Sequence, residues 1–116
     1  MLTLSPAVRI YLAAGVTDLR RSIDGLSALV RDRLQLDPLS GHLFLFRNRR
    51  GDRLKILAWD QGGFWVLYKR LERGTFAWPA EAQGGPVTIR SSDLLLLLSG
   101  VDLSHTRRRR WYERVA

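Results

Sequence analysis

A chain of 116 residues with 46% apolar and 26% charged residues has the length and balance of one globular domain with its own core, which excludes a disordered chain. The absence of cysteine excludes disulfides, thiolate metal sites and dithiol redox chemistry, and fits a reducing compartment. A formal net charge of +8 and a pI near 11.2 point to a polyanionic partner, because clustered cations displace the counterions condensed on phosphate.

Along the chain, Pro6 and Arg9 interrupt the first fourteen residues, so no basic region followed by a long apolar core marks a secretory leader. Residues 7–12 alternate apolar with polar side chains and end at Gly15, which predicts a first strand and a turn. A helix then opens with Thr17 or Asp18 as its cap, and Leu19, Ile23, Leu26, Val30 and Leu34 give it one apolar face up to Asp37 and Pro38. Gly25 inside it implies the close approach of a neighbouring backbone. Residues 43–47, 53–59 and 64–71 read as three antiparallel strands, joined by the turns 48–52 and 60–63. Residues 75–78 and 87–90 each suggest a further strand. Ser91 or Ser92 caps a short, fully buried helix through five leucines to Gly100; five leucines are far too few to cross a bilayer. The expected fold is α+β: an antiparallel β-meander sheet of four to six strands, one long helix packed on it and a short C-terminal Leu-rich helix. Residues 1–103 form the domain and 104–116 a basic tail. The expected location is cytoplasmic, away from membranes.

Two clusters are candidate nucleic-acid contacts. In the tail, Arg107, Arg108, Arg109 and Arg110 precede Trp111 and Tyr112, joining phosphate neutralisation to rings on which bases stack; a solvated end serving solubility is the other reading. On the second hairpin, Arg47, Arg49, Arg50 and Arg53 fall within one turn and its shoulders, although exposed turns tolerate charge freely. All basic residues except Lys55 and Lys69 are arginines, whose planar fork suits phosphate. Catalysis is not expected. His42 and His105 share no ligand or acid–base pattern, no nucleophile signature occurs, and neither glycine pair precedes a Lys-Ser or Lys-Thr phosphate loop. A nuclease site would need Asp18, Asp52 and Asp60 to converge on a metal. No metal or cofactor is expected.

The most distinctive pattern is Trp59-Asp60, Gly63-Phe64, Lys69-Arg70-Leu71-Glu72, Gly74, Phe76 and Trp78-Pro79. It combines with Gly15, the run Thr17-Asp18-Leu19-Arg20-Arg21-Ser22, Asp24-Gly25-Leu26 and the leucine run ending at Gly100. Over about residues 8–103 this resembles the TnpB-type accessory protein of the sixty-six family of bacterial insertion sequences, with Leu19 and Arg21 in place of Met and Lys. The resemblance implies a helper in DNA transposition whose partners are DNA and the separate, larger transposase. It defines no catalytic residue. Trp59, Phe64, Phe76 and Trp78 then read as core and sheet-face aromatics, and Gly63 and Gly74 as turn residues. Lys69 and Arg70 point to opposite faces of a strand, so at least one reaches a surface open to DNA or transposase; an ion pair of Arg70 with Asp60 is the structural alternative. No helix-turn-helix, zinc-finger or basic-zipper pattern appears, so the expected DNA contact is to phosphate. The rival is an adaptor that binds the transposase or another accessory protein without touching DNA.

Overall fold

The strands β1 (Ile10–Ala13) and β2 (Leu43–Arg47) are nearly unbroken apolar runs because both of their faces are covered. In this computed structural model, which describes residues 5–79, 85–100 and 111–115, they lie side by side at the centre of the sheet. They pair in parallel, Ile10 opposite Leu43 and Leu12 opposite Leu45, because the helix α1 (Ile23–Asp32) carries the chain back to the end where β1 began. From β2 the chain turns into an antiparallel meander through β3 (Arg53–Asp60) and β4 (Gly63–Arg70). On the other side of β1 lie β5 (Pro86–Ile89) and the short β6 (Glu113–Arg114), both antiparallel to their neighbours. The order is β4-β3-β2-β1-β5-β6. The sheet is therefore mixed rather than a purely antiparallel meander.

Alternation along the strands divides the core in two. Tyr11, Ala13, Phe44, Phe46 and Leu57 face α1 and meet Leu26, Val30 and Leu34. Ile10, Leu12, Leu43, Leu45, Leu54 and Ile56 face the other way, under Phe76, Leu94 and Leu97. The second helix, α2 (Ser91–Leu98), covers that face. It is not fully buried as expected: two turns lying on a sheet present one side inward, and Leu95 on the outer side is 71% exposed. Arg90, not Ser91 or Ser92, is its N-cap residue.

Three local expectations change for physical reasons. Asp18 does not open α1, because its carboxylate accepts from the backbone N–H and the guanidinium of Arg20. Ser22 takes the cap position, and the helix has 10 residues. Its end is set by Gln35 at φ 57, with the Leu36 N–H bonded to the Val30 carbonyl, a left-handed closure of the last turn. Gly25 makes room for the Arg21 side chain, whose Cβ would lie 3.0 Å from an added Cβ, and not for a neighbouring backbone. Residues 75–78 form no strand. The Phe76 N–H bonds the Gly51 carbonyl at 2.8 Å and the Trp78 indole bonds the Ala13 carbonyl at 2.9 Å, which fastens this segment across the end of the sheet. In the β3–β4 turn the positive φ angles belong to Gln61 and Gly62, while Gly63 already pairs with Asp60; a two-residue turn of this hand favours glycine at its second position.

His42 is part of this framework. Its Nδ1 accepts the Arg9 N–H at 2.9 Å, and its ring lies edge-on to Tyr11. Burial, helped by the charge of Arg9, holds its pKa below the ordinary value of 6.5. A base whose folded-state pKa is lowered contributes stability in full above its unfolded pKa, and that contribution is lost as pH falls through the folded value. Wild-type thermal stability should therefore drop between neutral and mildly acidic pH by more than that of His42→Asn, which keeps an acceptor but does not titrate. Parallel melting curves for the two proteins would refute this.

Candidate nucleic-acid interface

The register gathers one kind of charge at one end of the sheet. There β2 ends at Arg47, β3 begins at Arg53 and β4 ends at Arg70. Asn48 builds the connecting turn: its Oδ1 accepts the N–H groups of Gly51 and Arg53, and its Nδ2 donates to Asp52. Arg49 and Arg50 stand exposed at the tip. The chain after β4 is tied to the same turn, Leu71 N–H to the Asp52 carbonyl and Phe76 N–H to that of Gly51, which brings exposed Arg73 alongside. The Thr17 N–H bonds the Arg47 carbonyl and draws in Arg20 and Arg21 from the loop before α1.

Three acids at this end, Asp18, Asp52 and Glu72, are already engaged. The forked hydrogen bonds of Arg20 hold Asp18 down to about 2. Asn48, then the charges of Arg50 and Arg53, lower the pKa of Asp52. Glu72 pairs with Arg70 at 2.9 Å and raises the guanidinium's pKa. Among the described residues, Arg49, Arg50 and Arg73 form no ion pair. Among the described residues, the opposite end, where β3 finishes and β5 runs out, carries both signs: Arg9, Arg90 and Arg114 stand with Asp60, Asp93 and Glu113, and Arg90 pairs with Asp93 at 3.3 Å. Among the described residues, the end around the 48–52 turn therefore gathers unpaired cations that can hold a polyanion.

The structure separates residues that adjacency had grouped. Arg47 turns inward instead of joining the tip: its Nη1 donates to the Phe76 carbonyl at 2.8 Å, its guanidinium lies 5.7 Å from the Trp78 ring, and desolvation lowers its pKa. Arg53 is half-buried, with no partner for its Nε. Lys69 and Arg70 do take opposite faces, but Lys69 donates to the Leu98 carbonyl at 2.7 Å and braces the end of α2. Arg70 pairs with Glu72 and not with Asp60, which lies at the far end of β3 and bonds the Trp65 indole. Trp111 and Tyr112 pack edge-to-face at 5.0 Å against the α2-side core. Arg107, Arg108, Arg109 and Arg110 lie outside the described residues. Asp18, Asp52 and Asp60 do not converge, since β3 alone holds the last two about 27 Å apart; among the described residues no group of three His, Asp or Glu is placed to hold a metal ion. No helix among them is long and apolar enough to cross a membrane.

Sequence reading missed Arg20, Arg21 and Arg73 as members of this end, because only the ties to the 48–52 turn bring them there. Lys55 and Tyr68 were also missed, since their pairing depends on register.

A model for the family described as IS66 Orf2 like protein matches residues 8–108. Among curated relatives, "Uncharacterized protein y4hO" of Sinorhizobium fredii is 43% identical over 105 residues, covering 90% of each chain. "Uncharacterized protein y4jC" of the same organism is 36% identical over 109 residues, covering 94% of this chain and 92% of the relative. No solved structure matches the chain.

Proposed function

The chain belongs to the IS66 Orf2-like family, and on that premise we propose that it is a non-catalytic accessory factor in the transposition of an insertion sequence that holds DNA through phosphate contacts. The family supports the accessory role in transposition. The observation that carries the contact is the segregation of charge, with Arg49, Arg50 and Arg73 exposed and unpaired among the described residues at one end, beside Arg53 and Arg70.

Titration against duplex DNA at several salt concentrations tests it. Arg49, Arg50 and Arg73, each on one phosphate, would give a logarithmic salt slope of about −2.7, at about −0.9 per phosphate. No binding at low salt would sink this reading. One observation favours the adaptor instead: Leu95 and Leu96 turn outward from α2, and Trp65 is exposed at the sheet edge. Under that reading a Leu95→Glu substitution abolishes co-purification with the element's transposase while leaving DNA titrations unchanged.

A further inference from the structure

Strand β4 is an edge of the sheet, and on its α1 side it presents Tyr68 with 54% of the residue exposed. Lys55 stands directly opposite on β3, its Nζ 5.8 Å from the ring centroid and bonded to the Arg21 carbonyl at 2.9 Å. The ammonium is thus fixed beside one side of the ring. One step along the same face, Arg53 is directly opposite Arg70. Like charges at opposed positions repel; here the only acid bonded to either guanidinium among the described residues is exposed Glu72, on Arg70. The ring and the arginine pair are two residues apart along β4, about 6.7 Å, the scale of one nucleotide. Charge complementarity selects an anionic occupant, and the exposed ring selects one with a flat apolar face.

We infer that Tyr68 is a stacking platform for an unpaired base of single-stranded DNA, with Arg53 and Arg70 on the adjoining phosphates. Duplex DNA keeps its base faces stacked and offers the ring nothing, so the site discriminates between strand states, which phosphate contact alone does not. The inference rests on the nucleic-acid reading above.

The experiment is fluorescence anisotropy with a labelled single-stranded oligothymidylate and a mixed-sequence duplex. Tyr68→Ala is expected to weaken single-strand binding about 5- to 100-fold and to leave duplex binding within about a factor of two, at the usual worth of base–aromatic stacking. Its salt slope should not change, because the ring neutralises no phosphate, whereas Arg53→Gln with Arg70→Gln should lower the single-strand slope by about 1.4. Tyr68→Phe should bind as wild type does. Trp65→Ala removes a comparably exposed ring from the same strand's opposite face and should change neither titration; circular dichroism confirms that each variant is folded. If Tyr68→Ala binds both DNAs as wild type does, or loses both equally, the platform is overturned while the phosphate-binding reading stands. If the wild-type protein binds neither DNA, both fall.

Discussion

Reversing both tip charges, Arg49→Glu with Arg50→Glu, is expected to weaken duplex binding about 100-fold near 50 mM salt and to flatten the salt slope by about 1.8, since two phosphate contacts are lost. Stability should barely change, because both side chains are exposed and unpaired among the described residues. Arg47→Met, two positions away from Arg49, should do the opposite. It strands the buried-side carbonyl of Phe76 and removes the cation from Trp78, a loss of about 2–3 kcal/mol for a hydrogen bond made by a charged group and its packing. Urea unfolding should show a lower midpoint at unchanged slope, with the salt slope for DNA kept. A flattened salt slope in Arg47→Met would return that side chain to the interface.

Phe44→Ala should remove about 3–5 kcal/mol out of about 5–15 kcal/mol for a typical domain. Phe44 is fully buried on a central strand and stacks on Tyr11 at 5.5 Å, within 11° of parallel. No neighbour can collapse into the space, because β1 and β3 flank it and α1 lies above. Melting should fall by 10 °C or more, at about 4 °C for each kcal/mol in a domain near this size. A loss under about 1 kcal/mol would show that the layer beneath α1 repacks freely.

The meander was legible because its information is local. Asn48 to Asp52 and Asp60 to Gly63 announce turns, and the runs between them are apolar and β-branched or aromatic. The parallel pairing of β1 with β2 was not, because an apolar run buried on both faces reads alike in either orientation. Thr75 to Trp78 has strand composition, but its backbone and side chains are spent on fastening to Gly51, Arg47 and Ala13. The candidate interface was half legible. Arg49 and Arg50 follow from the turn. Arg47 goes inward because register puts it on the Phe76 side of β2, and no spacing in the sequence reveals that. Tyr68 looked like one more ring in an apolar strand until its cross-strand neighbours proved to be cations.

The strand made first waits for a late partner. Ile10 pairs with Leu43 on one side and with Ile89 on the other, while residues 43–70 close their hairpins among near neighbours. A growing chain can therefore assemble the meander while β1 still lacks one flank. The middle of the sheet closes only after residue 89 has emerged, so its slow contacts are the long-range ones to β5.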